Sequence, residues 1–293
     1  MKKTILIVIL LGLLSFGLVA DEKEDLTKCQ QLYREGKFAE ALSLANESIK
    51  KYGETQDLLT GKFYILMELK KYDEAIEVGV KKDNAATRKS PYSSYELAEL
   101  YMTVNKSADA LKWLEKSAER GFQDFTELLG NEKFQPLQKD KQFLALIEKI
   151  KVNIGIGKPV KDFALTSLTG DTLSLAKYKG KVVLIDFWAT WCPPCVAEMP
   201  NVKKIYDQYH PKGFEILGIS LDKEKEKLTE YIKTQNVKWS ITYSGKGWGD
   251  DTVALYGVRS IPSTWLVDKK GVLRYFGIRG EELGTAVAKL LAE

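Results

Sequence analysis

The chain has 293 residues, of which 44% are hydrophobic and 29% charged. This composition is typical of soluble globular proteins, and the length is sufficient for two modest domains. The net charge of +4 includes no long basic block, so nothing in it indicates nucleic-acid binding. A single histidine, His210, excludes histidine-rich metal sites.

The first twenty residues have the pattern of a targeting segment. Lys2 and Lys3 precede the apolar run ILIVILLGLLSFGLVA, and the acidic stretch DEKED follows. A charged start, an apolar centre and the small residue Ala20 before the acidic stretch are typical of export signals, although Leu18 is larger than the residue usual at its place. Residues 1–20 are therefore predicted to be a signal peptide, with an uncleaved membrane anchor or a buried helix as alternatives. An exported chain would work outside the cytoplasm, in the periplasm or anchored facing it, where disulfides persist.

Residues 22–150 are predicted to form an all-α domain built from an internal repeat. The segments GKFAEAL (36–42), KKYDEAI (70–76) and NKSADAL (105–111) place Ala41, Ala75 and Ala110 at equivalent positions, 34 and 35 residues apart. The pattern resembles the tetratricopeptide repeat, a helix–turn–helix unit, and a generic helical bundle is the alternative. A small residue lets paired helices approach closely, and each pair needs its neighbour to bury its apolar face. FLALIEKI (143–150) is predicted to be a closing helix.

After the linker VNIGIGKPV (152–160), strands and helices alternate, which predicts an α/β domain over 155–293. FALTSL and DTLSL are predicted to pair as a hairpin around Gly170. KVVLIDFWA (181–189) has the continuous apolar character of a central strand covered on both faces. Further strands are predicted at 214–221, 263–268 and 272–277, and helices at 193–209, 223–234 and 281–292.

Two of the three cysteines lie in the segment WCPPC, residues 191–195. A structural zinc site needs four Cys or His ligands, and only the distant Cys29 and His210 remain, so no metal is predicted. A structural disulfide between Cys192 and Cys195 would close too small a loop to constrain the unfolded chain much. Cys29 is predicted to be a buried packing residue, with a redox or intermolecular role as the alternative.

The third interpretation, that Cys192 and Cys195 are a redox-active pair, is supported by their place in the predicted structure. Cys192 follows a buried strand and begins a helix, where unpaired N–H groups and the helix dipole favour its thiolate. Cys195, one helical turn later, is expected to be the more buried cysteine and to resolve the mixed disulfide that Cys192 forms. Pro193 and Pro194 lack N–H groups and stiffen the loop.

The stretches LIDFWATWCPPC (184–195) and VRSIPSTWLVDKKG (258–271) resemble the two landmarks of the thioredoxin family. The N-terminal hairpin, the segment 222–250 and CPPCVAEMP make the domain most similar to the extracytoplasmic TlpA/ResA-like branch. The resemblance implies a thioredoxin fold with a central mixed sheet. It also implies that Pro262 follows a cis peptide bond, that Ile261 offers backbone groups to a bound substrate peptide, and that Trp191 helps to shield the pair.

Two carboxylates are candidates for proton transfer. The resemblance implies that Asp186 is buried beneath the cysteines, where burial would raise its pKa and where it could accept a proton from Cys195 through water. A solvent-facing aspartate at a strand edge is the alternative. Glu198 shares a helix face with Cys195, and the TlpA/ResA-like branch carries a glutamate there, while an exposed surface carboxylate is the alternative. The sequence leaves open which acid handles the proton.

These features predict an exported thiol-disulfide oxidoreductase that needs no cofactor. The TlpA/ResA-like resemblance implies the reducing direction, toward exported disulfide-bearing clients such as apocytochrome c, with a thiol electron donor that could be membrane-bound. The related peroxiredoxins require Pro and Thr where this chain has Ile185 and Ala189. The alternative function is a partner-binding module in which the repeats do the work and the thioredoxin-like domain is mainly a client handle.

Overall fold

The computed structural model describes residues 20–87 and 89–293. The predicted targeting segment lies outside the described residues, apart from Ala20, at which the first helix begins. Within the described part of the chain, no helix has both the length and the apolar character needed to cross a bilayer. The chain divides into two compact units, one ending at Ile150 and one running from Lys151 to Glu293.

The N-terminal unit is helical, as predicted. Its helices are α1 (Ala20–Arg34), α2 (Phe38–Tyr52), α3 (Gln56–Glu68), α4 (Tyr72–Ala85), α5 (Pro91–Thr103), α6 (Ser107–Glu119), the short α7 (Phe125–Gly130), a 3-10 helix (Glu132–Leu137) and α8 (Lys141–Ile154).

The three predicted repeats form three helix pairs with the same turn. In each pair a lysine is the N-cap of the second helix, and its N–H donates to a carbonyl near the end of the first helix at 2.9–3.0 Å; the lysines are Lys37, Lys71 and Lys106. The residue before each lysine has a left-handed backbone; these residues are Gly36, Lys70 and Asn105. One turn into the second helix, Ala41, Ala75 and Ala110 are fully buried. The predicted helix–turn–helix repeat is therefore confirmed.

Hydrogen bonds join successive pairs in a regular ladder. Each runs from a tyrosine hydroxyl in the first helix of one pair to a glutamate that lies 32 or 35 residues later: Tyr33 to Glu68 at 3.0 Å, Tyr64 to Glu96 at 2.9 Å and Tyr95 to Glu127 at 3.0 Å. The first of these bonds is exposed and the other two are partly buried. They link α1 to α3, α3 to α5 and α5 to α7, so each helix pair is tied to the helix that follows it.

Cys29 packs in the core between α1 and α2. Its side chain is buried together with Ala41, Ala45 and Ile65, and burial raises the pKa of its thiol to about 11. A thiol that stays protonated at neutral pH is a poor nucleophile. Its predicted packing role is confirmed.

The C-terminal unit contains a hairpin and a five-stranded mixed sheet. The hairpin pairs β1 (Leu165–Thr166) with β2 (Thr172–Leu173). The sheet strands are β3 (Val182–Trp188), β4 (Phe214–Ser220), β5 (Ser240–Tyr243), β6 (Ser263–Val267) and β7 (Leu273–Phe276), in the order β5-β4-β3-β6-β7. The helices are α9 (Pro193–Tyr209), α10 (Lys225–Gln235), α11 (Asp251–Tyr256) and α12 (Gly280–Ala292). The strand β5 and the helix α11 were not predicted.

The central strand β3 determines where the site lies. All seven of its residues are buried, and because side chains alternate between the two faces of a sheet, both faces must be covered. β3 is parallel to β4, and β4 to β5, whereas β6 and β7 are antiparallel to their neighbours. The carboxyl ends of β3, β4 and β5 therefore meet at one edge of the sheet, and the WCPPC segment leaves β3 at that edge.

Gly218 in β4 is required by close packing. A Cβ at this position would clash with Ile241 Cδ1 and would lie 3.2 Å from Trp188 Nε1. Overpacking a well-filled core costs about 1–3 kcal/mol, so we expect Gly218→Ala to lower the free energy of unfolding by that amount, measured by urea denaturation. Gly284→Ala in α12 is the matched control, because its Cβ would make ordinary contacts of 3.6 and 3.7 Å with Ile205. We expect the control to be neutral or to stabilise by about 0.5–1 kcal/mol, and equal effects of the two changes would contradict the packing argument.

Candidate active site

The two cysteines of the WCPPC segment form a disulfide with a Cα–Cα distance of 5.3 Å. Cys192 is the N-cap of α9, and its Sγ accepts the N–H of Cys195 at 3.2 Å. Pro193 and Pro194 occupy the first two helical positions and have no N–H, so the Cys195 N–H is the first that the helix presents to Cys192. A thiolate at this position would receive both this hydrogen bond and the helix dipole.

Burial does not distinguish the two cysteines. Cys192 is 3% exposed and Cys195 is 4% exposed, so the expectation that Cys195 would be the more buried is wrong for the disulfide form. The reason is local, because the disulfide and the hydrogen bond from Cys195 both hold the Cys192 sulfur toward the helix. The neighbouring Trp191 is 52% exposed, and both prolines are exposed as well.

A small pocket adjoins Cys195. Its polar and charged lining residues are Asp186, Glu198, Thr264 and Arg279, and Pro262 is among its apolar ones. Its volume of about 10 Å³ is close to the smallest that holds one water molecule. The structure thus brings both candidate acids, the second cysteine and Pro262 to one place. Ile261 precedes Pro262 across a peptide bond that is cis, as the resemblance predicted.

Asp186 lies on the central strand, next to Gly218 on β4 and Thr264 on β6. Its side chain is buried, so the alternative of a solvent-facing aspartate at a strand edge is wrong. Burial, reinforced by the negative charge of Glu198 and opposed by the positive charge of Arg279, raises the pKa of Asp186 to about 7. This carboxyl can therefore exchange a proton near neutral pH.

Glu198 is half-buried and fixed in orientation. Its Oε1 accepts the Gly280 N–H at 2.8 Å and the Asn201 Nδ2 at 2.6 Å. Asn201 also donates to the Gly280 carbonyl at 3.1 Å. Gly280 is the first residue of α12, so the glutamate on α9 is held at the N-terminus of another helix, where negative charge is favoured. It is not the freely exposed surface carboxylate of the alternative interpretation.

Asp222, which follows β4, was not predicted as a site residue. It is 2% exposed and accepts hydrogen bonds from the Thr190 N–H at 3.1 Å, from Thr190 Oγ1 at 2.6 Å and from Ser220 Oγ at 2.8 Å. The adjacent Leu221 N–H donates to the Trp188 carbonyl at 2.8 Å. Asp222 therefore anchors the loop between β3 and Cys192. A polar residue directly after a parallel strand, at the edge where sites form, is the signal that could have identified it.

Arg279 was also not predicted. It follows β7, directly before α12, and reaches the pocket that contains Asp186 and Glu198. Its sequence neighbours FGIRGEEL give no indication of that destination, because the position of α12 against α9 brings it there.

Comparison with known proteins gives a family match within the C-terminal unit. Residues 156–276 match the model of the AhpC/TSA family. The thioredoxin-like protein YneN of Bacillus subtilis is 36% identical over 129 residues, which cover 43% of this chain and 73% of that protein. The thiol-disulfide oxidoreductase ResA of Bacillus thuringiensis is 34% identical over 116 residues, 40% of this chain. The matched part of this chain spans 65% of the length of that ResA protein.

Among solved structures, the thioredoxin domain of a thiol-disulfide oxidoreductase from Bacteroides vulgatus is 31% identical to this chain. The match covers 46% of this chain and 97% of that one, with a TM-score of 0.44.

The raised pKa of Asp186 makes stability depend on pH. The folded protein keeps this carboxyl protonated up to about pH 7, whereas an unfolded aspartate loses its proton at about pH 4. The free energy of unfolding therefore falls as the pH rises from about 4 to 7. We expect Asp186→Asn to be more stable than the wild type by on the order of 3 kcal/mol at pH 8, and equal to it at about pH 4. Urea unfolding of the disulfide form at both pH values measures this.

Asp268→Asn is the matched control with the opposite sign. Burial raises the pKa of Asp268, but hydrogen bonds from the Val272 N–H and from Arg274 outweigh burial and leave that pKa below its usual value. Its charge therefore stabilises the fold above the unfolded pKa, and the stabilisation is lost as the pH falls through the folded pKa. The control should be destabilised more at pH 8 than at low pH, and a pH-independent effect of Asp186→Asn would contradict the assignment.

The anchoring role of Asp222 predicts a rate effect. An asparagine would turn an amide N–H toward the Thr190 donors, which removes charge-assisted hydrogen bonds and lets the loop before Cys192 shift. Because small misplacements of reacting groups cost up to about 100-fold in rate, we expect Asp222→Asn to slow the reaction of reduced Cys192 with a small aromatic disulfide by about 10- to 100-fold. Asp268→Asn, at the opposite edge of the sheet, should leave that rate unchanged, and equal slowing by both variants would show a general loss of structure instead.

Proposed function

The chain belongs to the thioredoxin-like thiol-disulfide oxidoreductases represented by ResA and YneN, and we propose that it reduces disulfides in exported polypeptides. The observation that carries the proposal is the unequal placement of the two cysteines. Cys192 caps α9 and accepts the Cys195 N–H, whereas Cys195 adjoins the pocket with the two acids. One position favours a thiolate nucleophile, and the other offers a proton acceptor to the second thiol.

The proposed reaction starts from the dithiol. The Cys192 thiolate attacks one sulfur of a client disulfide, a new S–S bond forms, and the other client sulfur leaves as a thiolate. Cys195 then gives up its proton and attacks the Cys192 sulfur. The second client sulfur leaves, the Cys192–Cys195 disulfide forms, and the client has gained two electrons. A thiol electron donor must return those electrons to the protein before the next cycle.

We assign the proton acceptor to Asp186 and a supporting role to Glu198. Asp186 lines the same pocket as Cys195 and has a pKa near 7, so it can accept a proton at neutral pH and release it later. Glu198 already accepts two hydrogen bonds from Gly280 and Asn201. Its fixed charge raises the pKa of Asp186, which makes Asp186 a better base.

The reducing direction is supported by the small number of N–H groups that can donate a hydrogen bond to the Cys192 thiolate. Every N–H directed at the thiolate stabilises the reduced protein and makes its disulfide more oxidising. Pro193 and Pro194 remove two such donors from the first turn, and the segment contains no histidine. The disulfide form is therefore relatively stable, which favours passing electrons to the client.

Export, the clients and the donor are part of the proposal. The charged and apolar N-terminal segment of residues 1–20 supports export, either as a cleaved signal or as an anchor. We propose exported proteins with exposed disulfides as clients, apocytochrome c among them, and a thiol protein at the membrane as the donor. The positions at which peroxiredoxins have Pro and Thr hold Ile185 and Ala189, which speaks against peroxide as the substrate.

The helical unit is proposed to dock partners. Its three pairs repeat one turn geometry and are joined by the Tyr–Glu ladder, so they form a continuous stacked surface of the kind on which helical repeats bind partners. Holding a client there would raise the effective concentration of its disulfide. In the alternative function, docking is the main activity and the cysteine pair only retains the client.

Trapping tests the proposed chemistry. We expect Cys195→Ala in the full-length protein to accumulate a covalent mixed disulfide on Cys192, because the resolving thiol is gone. Mass spectrometry of the trapped species after alkylation would identify both the cysteine and the partner. Cys29→Ala on the same background is the matched control and should leave trapping unchanged, because Cys29 is buried.

Two results would contradict the proposal. One is trapping that persists after Cys192→Ser is combined with Cys195→Ala. The other is full disulfide reductase activity in Cys192→Ser alone. Retention of partner binding by Cys192→Ser, together with no measurable reductase activity of the wild type, would favour the docking function instead.

A further inference from the structure

Two of the six tryptophans of the chain are exposed. Trp113, Trp188, Trp239 and Trp265 are each 8% exposed or less, whereas Trp191 is 52% exposed and Trp248 is 47% exposed. Trp191 is beside the attacking cysteine, but Trp248 has no part in the mechanism above. Tryptophan is the residue most enriched among those that dominate binding energies, so an exposed one near a reactive group calls for an explanation.

Trp191 and Trp248 lie at the same edge of the sheet. Trp191 follows β3 and Trp248 follows β5, and the strand between these two is β4. The loop after β4 contacts both flanking loops. On one side Asp222 accepts Thr190 Oγ1 at 2.6 Å. On the other side Gly247, in the loop after β5, packs against the loop after β4: a Cβ added to Gly247 would lie 3.4 Å from the Leu221 carbonyl oxygen.

The backbone that carries Trp248 is well fixed. The residue is central in a 3-10 helix, Gly247–Gly249, and Gly247 has a left-handed φ of 56°. The Asp250 N–H donates to the Gly247 carbonyl at 3.1 Å. The Asp250 side chain is 6% exposed and accepts the Thr252 N–H at 2.7 Å at the start of α11. Because little backbone freedom remains to be lost, a partner that covers the indole gains most of the burial energy.

We propose that Trp248, together with Trp191, forms an apolar binding surface for the client, and that the preferred client is an extended polypeptide segment with an apolar side chain next to its disulfide-bonded cysteine. This inference rests on the proposed disulfide exchange. Cys192 is 3% exposed, so the client sulfur must come close to the loop at this edge. The client backbone on either side of that sulfur must then cross the surface beside the two indoles.

The charges around Trp248 also suit a polypeptide better than an anionic surface. Lys246 lies two residues before the indole, but it is paired with Asp251 at 2.8 Å, so the pair has no net charge. The Lys223 carbonyl accepts the Tyr243 hydroxyl at 2.8 Å, which ties the β4 and β5 loops together. The Lys223 side chain also lies against this loop, since its Cε would be 3.1 Å from a Cβ added to Gly247. The large exposed apolar groups of this surface are the two indoles, and they favour an apolar side chain of the client.

The test compares three disulfides with the full-length protein, using dithiothreitol as the electron donor. Two are synthetic peptides whose single cysteine is linked to glutathione, with phenylalanine on both sides of the cysteine in one and serine in the other. The third is hydroxyethyl disulfide, which has no side chains. Hydroxyethyl disulfide releases one 2-mercaptoethanol at each of the two exchange steps. With either peptide, the Cys192 thiolate attacks the peptide sulfur and glutathione leaves as its thiolate. Cys195 then releases the peptide thiol, and dithiothreitol re-reduces the pair as it is oxidised to its cyclic disulfide.

We expect Trp248→Ala to raise KM for the phenylalanine peptide by about 10- to 30-fold, with kcat changed by less than about 2-fold. The serine peptide and hydroxyethyl disulfide should react as with the wild type to within about 2-fold. Trp248→Phe should restore most of the affinity. The matched control Val152→Ala, which truncates another exposed apolar residue, on α8 (56% exposed), should change none of the three reactions.

The results that would contradict this inference can be distinguished from those that would contradict the proposed function. Equal KM values of the wild type for the two peptides, or equal slowing of all three reactions by Trp248→Ala, would overturn the inference and leave the proposed function standing. Sedimentation that shows a wild-type dimer converted to a monomer by Trp248→Ala would overturn it in favour of a second copy covering the indole. Failure of the wild type to reduce any of the three disulfides would overturn the proposed function, and this inference with it.

Discussion

The hydrogen bond from the Cys195 N–H to the Cys192 sulfur, at 3.2 Å, is the interaction on which the site depends. It exists because a strand buried on both faces ends where a helix begins, so that a cysteine takes the N-cap position usually held by Ser, Thr, Asp or Asn. The same geometry sends Cys195 to the pocket beside Asp186. The structural cap and the reactive pair are thus one feature, and moving the strand relative to the helix would disrupt both.

The acidic pocket follows from the same strand. Two residues before Trp188, β3 places Asp186 in the sheet interior, where burial raises its pKa to about 7. The opposing charges of Glu198 and Arg279 come from α9 and from the start of α12. Because one charge raises and the other lowers the pKa of Asp186, its proton affinity is set by the packing of α12 against α9. This arrangement lowers the free energy of unfolding at high pH, because the buried carboxyl ionises less readily in the folded state than in the unfolded state.

Local patterns in the sequence predicted the repeats and the strand–helix context of WCPPC, because each depends on residues close together in the chain, whereas the burial of Asp186 was implied by the resemblance to thioredoxins. The alanines at equivalent places in the repeats are a local signal of helix pairing. The strand SITY (240–243) and the helix DTVALY (251–256) were missed because both are too short for a clear period. Asp222 and Arg279 were missed because only the sheet order and the packing of α12 bring them to the site. The equal burial of the two cysteines depends on the disulfide itself, which no sequence pattern shows.

The arrangement of donors also explains why two cysteines of almost equal burial can have different roles. Burial alone would raise the pKa of both thiols, so it cannot select the nucleophile. What differs is the partner of each sulfur: Cys192 has an N–H and the helix dipole, and Cys195 has a carboxyl that is half-protonated near pH 7. The proposed reducing direction depends on this helical turn, because the prolines at its first two positions add no N–H group that would stabilise the Cys192 thiolate. In that proposal, the exposed surface beside the turn selects the client.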